Sequence, residues 1–569
     1  MLKLRRFLKN YKKELILGPF FKLLEAIFEL IVPIVMSKMI DNGITQNDKP
    51  YIWKMSIIMV ILGVCGLGFA LTCQYFAAKC AYGFGTELRE ALYKHINSLS
   101  HSEIDKFGTS SLITRMTNDT MLVQNGVNMF IRLAVRAPFL IIGATVMSML
   151  IDVKLSLIVI GSSLMMVGAI ALVRKKTLPM FKNIQKGLDK LSLLTREALD
   201  GVRVIRAFSK QKQETDKQLD ENRRLAKACV SAGRVSAILS PLTFMIMNLG
   251  AAAIMWFGGI RADAGDITQG EMTAFVNYMN QLLLVLIVLS NLIVIFSRAS
   301  SSAARINEVF ETLPSIDNGS TVKADTDKPA VQFENVSFKY PGASEDSLSS
   351  ISFTLEKGKT LGIIGSTGSG KSTLVNLIPR FYDVTKGCIN IFGINIKEYD
   401  MTALRSMIGY VPQKAVLFSG TIRDNMKWAR PDATDNEIIS ALKTAQAWEF
   451  VEKMPDGINS HVSQGGKNLS GGQRQRITIA RALVGAPPIV IFDDSMSALD
   501  FLSDAELRKA IKNDLSESTV IMISQRASTL KNADNIIVLD DGVSAGQGTH
   551  EELLENCEEY REIYSSQTN

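Results

Sequence analysis

Long apolar runs dominate the chain up to about Ser300, and from Val331 onward they give way to short β-branched stretches separated by loops and amphipathic segments. A membrane-crossing helix needs about 20 mostly apolar residues, because each residue adds about 1.5 Å against roughly 30 Å of hydrocarbon. Six segments meet that requirement: 15–37, 53–80, 129–151, 155–175, 236–260 and 271–297. The linkers within each successive pair, KMIDNGITQNDKPYIW, MLIDVKLS and GIRADAGDITQG, are short and poor in net positive charge. The basic residues gather on the opposite flanks, at Lys3, Arg5, Arg6, Lys9, Lys12 and Lys13, at Arg89 and Lys94, and at Arg174, Lys175 and Lys176. Since Lys and Arg near spans stay in the cytoplasm, both termini are expected there, in a multi-pass protein of the cell membrane. No small-residue cleavage site follows the first apolar run, so the N-terminal segment reads as a retained helix rather than a signal peptide.

Two connections are too long and too polar for turns. TELREALYKHINSL and LDKLSLLTREALDGVRVIRAFSKQKQETDKQLDENRRLAKA keep helical spacing and end in charged helix. They are read as transmembrane helices running on into the cytoplasm, with a short loop at each reversal placed to touch another domain. Within the spans, Glu25 and Glu29 are four apart on one face of the first, and Arg132 and Arg136 repeat that spacing in the third. Charges at that depth face a protein interior or a watery cavity. They read either as a cavity wall or as structural ion pairs between helices. Asn277, Tyr278, Asn280, Gln281 and Asn291 in the sixth span are further candidates for a pathway lining.

The formal charge, 63 Lys and Arg against 56 Asp and Glu, is +7, with no basic block that would imply a nucleic-acid partner. Basic residues beside spans account for it. The six cysteines lack C-x-x-C spacing with histidine, so they read as free thiols and not as a zinc site.

In the second half, TLGIIGSTGSGKSTLVNLI reads as strand, glycine-rich turn and helix. Gly365, Ser366, Thr367, Gly368, Ser369, Gly370, Lys371 and Ser372 fit the phosphate-loop pattern G-x-x-x-x-G-K-[ST]. Glycines let backbone N–H groups curl around phosphate oxygens, and the helix N-terminus adds its dipole. Lys371 supplies a charge to the outer phosphates, and the Ser372 hydroxyl is placed for Mg2+. PPIVIFDD is a buried strand ending in Asp493 and Asp494, and such strand ends collect ligands in an open α/β sheet. Asp493 is the metal-facing acid. Between them, Leu469-Ser470-Gly471-Gly472-Gln473 opens a helix as a second phosphate cradle without lysine.

LSGGQ after a phosphate loop and before IVIFDDSMSALD resembles the nucleotide-binding domain of an ATP-binding cassette (ABC) transporter, and the six preceding spans resemble the exporter arrangement of that superfamily. The likeness runs over essentially the whole chain. It implies an α-helical six-span transmembrane domain of exporter type fused to an α/β P-loop nucleotide-binding domain. The expected boundaries are 1–310 for the first, a linker at 311–328 and 329–569 for the second. It also implies ATP and Mg2+ as cofactors and a second half-transporter chain as partner, with lipid around the spans and a small-molecule substrate. By the same resemblance Tyr340 stacks on adenine and Thr373 joins the phosphate-binding residues. Gln413 reaches the metal and the attacking water, and Asp500 ends a loop crossing to the partner. The turns at GTSSLITRMTNDT and before AGRVSA dock on the cassettes. Each ATP lies between one chain's phosphate loop and the other's LSGGQ.

Two positions depart from the family's active pattern. Asp494 stands where a glutamate activates water, and losing one methylene withdraws the carboxylate by about 1.5 Å. A misplacement near 1 Å can cost about a hundredfold in rate. Gln525 stands where a histidine meets the γ-phosphate, and an amide cannot ionise. The expectation is one half of a heterodimeric exporter of amphipathic molecules. This chain supplies a degenerate ATP site and an intact signature, the latter completing the partner's site. A homodimeric exporter with slow hydrolysis and a regulatory or gating subunit are the alternatives.

Overall fold

In the computed structural model, which describes residues 2–325, 327–497 and 501–568, the chain divides into two compact units, Met1–Asn97 with Ser110–Thr312, and Ser98–Thr109 with Leu313–Asn569.

The first unit is helical throughout. Its long helices, Lys49–Ser98, Val153–Asp200 and Gln269–Glu311, have 50, 48 and 43 residues. At 1.5 Å per residue the longest extends about 75 Å, more than twice the thickness of the hydrocarbon. The excess is the polar continuation that the charged stretches predict. Among the described residues five helices are long and apolar enough to cross a membrane. The first expected span is not one of them. Its helix, Lys12–Lys38, has the length, at 27 residues, but carries Lys22, Glu25 and Glu29 in its apolar stretch. These charges are met locally. Lys22 Nζ lies 2.6 Å from Glu25, and Arg136 Nη2 donates to Glu29 at 2.5 Å. Pairing removes much of the cost of holding an ion away from water, so composition alone undercounts this helix.

The third expected span is not one continuous α-helix. A π-helical turn, Phe130–Ala134, interrupts it between Thr120–Met129 and Arg136–Ile151, which places Arg132 and Arg136 at the break. Such bulges rotate following side chains around the axis. Below the spans, buried Asp119 accepts from Ser302 Oγ at 2.9 Å and from Arg305 Nε at 2.8 Å, tying two helices together.

The second unit holds two larger sheets and a two-stranded pair of Gly420–Thr421 with His461–Val462. The largest has the strand order Val543–Gly548, Asn535–Asp540, Thr360–Gly365, Thr519–Ile523, Ile489–Asp493, Ile408–Val411, parallel except for the outermost pair at Val543–Gly548. Its central strands are buried on both faces, as their unbroken β-branched sequences require. The register sets Ile523 beside both Asp493 and Ile363, so the strands preceding the phosphate loop, Asp494 and Gln525 end side by side. A second, antiparallel sheet is formed by Leu348–Leu355, Val331–Phe338, Lys386–Ile391 and Ile394–Asn395.

The segment Ser98–Thr109, between two long helices in sequence, belongs to this second unit. Its short helix His101–Phe107 is started by a capping box between Ser100 and Glu103. His101 stacks on Phe381 with ring centroids 4.5 Å apart, and Tyr382 donates to Asp105 at 2.6 Å. These contacts, made by His101 and Asp105, hold the short helix against Phe381 and Tyr382 within the same unit. Tyr382→Phe removes one hydrogen bond to a carboxylate, worth about 1–2 kcal/mol. Amide exchange across residues 100–107 is expected to accelerate roughly tenfold, and unchanged exchange would show that stacking alone holds the segment.

Candidate nucleotide site

The strand Thr360–Gly365 delivers the chain into a loop whose backbone only glycine can follow. Gly370 has φ +95°, and a Cβ there would sit 2.8 Å from the Ser347 carbonyl oxygen. At Gly365 a Cβ would collide with the Leu539 carbonyl of the neighbouring strand. These two constraints fix where the glycines must stand. The helix Lys371–Leu377 follows at once, so its free N–H groups face the loop.

Around this loop lies a cavity of about 400 Å³. Tyr340, Thr367, Gly368, Gly370, Lys371, Ser372, Thr373, Gln413, Asp494 and Gln525 all line it. Lys371 is buried and donates to the carbonyls of Gly365 at 2.9 Å and Ser366 at 2.5 Å. Ser372 Oγ donates to Asp493 at 2.7 Å, which ties the loop to the end of the strand Ile489–Asp493. Tyr340 OH is 3.2 Å from Thr373 Oγ1, and its ring packs against Phe338 and Tyr382 at the cavity's edge. Gln413 and Gln525 converge on one atom, Asp494 Oδ2, donating from 3.5 and 3.3 Å. Asp494 itself has φ +44°, a left-handed conformation that is costly without glycine and clusters at functional positions.

Burial pushes both the Asp493 and Asp494 carboxyls above the usual carboxylate range, and the neighbouring Asp493 charge adds to the shift at Asp494. Burial also pushes the Lys371 ammonium down. Two dehydrated acids beside each other favour a cation between them and the phosphates. The Ser372 hydroxyl, Asp493 carboxylate and Gln413 amide are all hard oxygen donors, the set that suits Mg2+ alongside substrate phosphates. Bound there, the ion would neutralise charge on the outer phosphates.

The signature segment is placed elsewhere. Ser470 Oγ accepts from the Gln473 amide at 3.3 Å and Gln473 Oε1 accepts from the Ser470 amide at 3.0 Å, a reciprocal cap that starts the helix Gly471–Leu483. Ser470 and Gly471 are exposed, and none of Leu469, Ser470, Gly471, Gly472 or Gln473 lines the nucleotide cavity. Asp500 lies outside the described residues.

Some participants have no motif to announce them. Tyr410 places its hydroxyl 2.9 Å from Asn376 Oδ1, to which it donates, and 3.3 Å from Asp493 Oδ2, so it packs beside that acid. It precedes Gln413 on the same strand exit, which is the only sequence cue. Asp346, Ser347, Asp541 and Gly542 reach the cavity from hairpin turns distant in sequence.

In the transmembrane unit a separate cavity of about 350 Å³ is lined by Glu25, Glu29 and Arg136 together with Phe28, Val32, Leu62, Gly63, Gly66, Leu67 and Ala70. Gln281 approaches the same place by donating to the Glu29 carbonyl at 3.3 Å. Arg132 and Asn277 do not line this cavity; Asn277 bonds within its own helix, to the Thr273 carbonyl at 3.0 Å.

Residues 15–286 match the ABC transporter transmembrane region, and residues 348–497 match the ABC transporter family. The chain is 37% identical to an uncharacterized ABC transporter ATP-binding protein of Mycobacterium tuberculosis, over 99% of its own length and 98% of that protein. It is 36% identical to YfiB of Bacillus subtilis, likewise an uncharacterized ABC transporter ATP-binding protein, over 100% of this chain and 98% of that one. A multidrug efflux ATP-binding/permease protein of Mycobacterium bovis is 32% identical over 99% of this chain, which corresponds to 47% of that longer protein. A bacterial Atm1-family ABC exporter with ATP bound shares the fold, with a TM-score of 0.80 at 24% identity over 98% of both chains. Membrane-spanning helices, a phosphate-loop cavity and full-length relatives of this kind together establish that the chain belongs to the ABC transporter family, as a multi-pass, ATP-driven membrane transporter of exporter type with its ATP-binding domain on the cytoplasmic side.

Proposed function

We propose that this chain is one half of a heterodimeric exporter and that its own phosphate loop forms a site that retains ATP but turns it over slowly. The observation that carries this reading is the double engagement of Asp494. Its short carboxylate is shared between the Gln413 and Gln525 amides, at 3.5 and 3.3 Å, in the cavity that the lysine-bearing loop also lines. A general base must reach the water that it activates. A carboxylate one methylene short, with one of its oxygens held by two amide donors, lacks the reach to do so. Gln525 can hold a phosphate oxygen as a donor, but it takes no part in proton transfer.

The exposed signature fits the same division of labour. Ser470 to Gln473 present a capped helix start to solvent and stand apart from the chain's own nucleotide cavity. A second chain's ATP, seated on that helix start, gains the anion-binding N–H groups that its own loop cannot supply. Hydrolysis then falls mainly to the site that combines this LSGGQ with a partner's glutamate and histidine.

On the membrane side, the cavity beside Glu29 and Arg136 is the candidate substrate contact. Its walls are apolar and its floor is an ion pair, which suits amphipathic molecules with a polar group, as the multidrug efflux name of one relative also does. The substrate, in this reading, competes for that pair.

The reading is tested with the full-length chain reconstituted in lipid nanodiscs, alone and with its partner half. Alone it is expected to hydrolyse ATP at least about a hundredfold more slowly than the complex, the scale of a misplaced catalytic group. Brisk turnover by the self-paired chain would overturn the assignment. Asp494→Glu combined with Gln525→His is expected to raise turnover at this site by at least tenfold; no gain would place the defect elsewhere. Glu29→Gln with Arg136→Gln removes both charges together and leaves no unpaired ion. Basal ATP hydrolysis of the complex should persist while the set of compounds that stimulate it changes; an unaltered set would assign the pair a purely structural role.

A further inference from the structure

The strand Thr519–Ile523 leads into the switch segment Ser524–Ala527, which carries Gln525 to Asp494. Two backbone groups of that segment, the Gln525 carbonyl and the Ala527 amide, fall outside both the sheet ladder and the following helix ladder. Ala527 opens the short helix Ala527–Leu530, so its N–H has no acceptor within that helix. A single side chain meets both. Gln567 Nε2 donates to the Gln525 carbonyl at 2.6 Å, and Gln567 Oε1 accepts from the Ala527 amide at 2.9 Å. A primary amide carries a donor and an acceptor on adjacent atoms, so it pairs with these two backbone groups much as a neighbouring strand would.

Gln567 stands near the end of the C-terminal helix Glu558–Thr568. That helix is anchored at its other end. Tyr560 is fully buried, with its hydroxyl 2.8 Å from His550 Nδ1, and the His550 ring lies 5.2 Å from that of Tyr564. Seven residues of helix then carry the position to Gln567, about 10 Å away. Behind the switch segment is a cavity of about 460 Å³ bounded by Asp494, Asp504, Gln525, Arg526 and Gln567. The segment therefore borders a cavity on which Gln567 also stands, so its place depends on the two bonds to that amide.

We propose that the C-terminal helix is a positioning element of this chain's nucleotide site, with Gln567 clamping the switch segment so that the Gln525 amide is held at the Asp494 end of the cavity. Gln567 touches neither nucleotide nor metal and acts through Gln525. When the clamp is released, the switch segment is no longer held, Gln525 loses its place and bound ATP is released sooner. This goes beyond the degenerate-site reading, since the clamp sets how long nucleotide stays whether or not the site hydrolyses it, and it does not depend on which chain is the partner.

The test uses the full-length chain in detergent micelles and follows dissociation of a fluorescent ATP analogue with Mg2+, with Lys371→Ala setting the background. Gln567→Ala is expected to speed dissociation roughly five- to tenfold, the effect of one to two backbone hydrogen bonds. Gln567→Glu keeps an acceptor for the Ala527 amide but sets an oxygen against the Gln525 carbonyl, so it should speed dissociation as well. It serves as the second probe should the alanine variant fold poorly, with the thermal midpoint measured for each. In a Gln525→Ala background, Gln567→Ala should add nothing, the non-additivity expected of residues that act through one another. Wild-type dissociation rates in both Gln567 variants, or a full additive effect in the Gln525→Ala background, would overturn the clamp while leaving the degenerate-site assignment standing.

Discussion

The hydrogen bond from Ser372 to Asp493 is the point on which the second unit turns. It joins the first residue after the phosphate-loop lysine to the end of a strand two places away in the sheet, with Thr519–Ile523 between them. For the two side chains to meet at 2.7 Å, the parallel strands must end level and the loop must curl without side chains in its way. The first condition is supplied by buried β-branched strands in fixed register. The second is supplied by Gly365 and Gly370, where any larger residue would strike a neighbouring carbonyl. The Tyr410 hydroxyl lies 3.3 Å from the second Asp493 oxygen, so both oxygens of that acid have a neighbour that orients them. Pre-organisation of this kind is what lets a phosphate site stabilise charge without rearranging as it does so.

The first unit obeys a different solvent. Trp53, Val60, Leu71 and Leu164 are among many large apolar residues exposed on its surface, an arrangement that water would penalise and a bilayer accepts. Backbone polar groups are satisfied inside each helix, which is why the unit is helical along its length. Polar side chains at depth are then informative. Tyr278 is buried and donates to the Leu30 carbonyl at 2.7 Å, and Ser148 donates to the Ala144 carbonyl at 2.8 Å. Each charged side chain around Glu29 is likewise matched or turned to a cavity, apart from Arg132, which has no hydrogen-bond or ion-pair partner among the described residues.

Much of this was legible in the sequence, for reasons that differ by region. Spans declare themselves because the bilayer demands a fixed length of apolar residues, and the phosphate loop declares itself because its glycines and lysine are close together in the chain. The first helix was legible by position yet fails a composition test, since its Lys22, Glu25 and Glu29 charges are relieved only by packing. The π-helical turn at Phe130–Ala134 has no signature in residue pattern. The contacts of His101 and Asp105 have no local cue, because which side chains meet depends on Phe381 and Tyr382, almost 280 positions later. Tyr410 and Gln567 have no sequence signature for the same reason: their contacts are made only by the fold. Asp494 and Gln525, by contrast, were singled out as substitutions, and the structure adds that they touch.

The Glu29–Arg136 contact joins residues 107 positions apart, and it has a temporal side. A ribosome delivers the first helix to the membrane well before the segment containing Arg136 has been made. During that interval Glu29 lacks the guanidinium of Arg136, so the helix would remain beside the insertion machinery until the third hydrophobic segment emerges. The pair thus imposes an order on biogenesis: the N-terminal helix becomes a settled occupant of lipid only when a later part of the same polypeptide joins it.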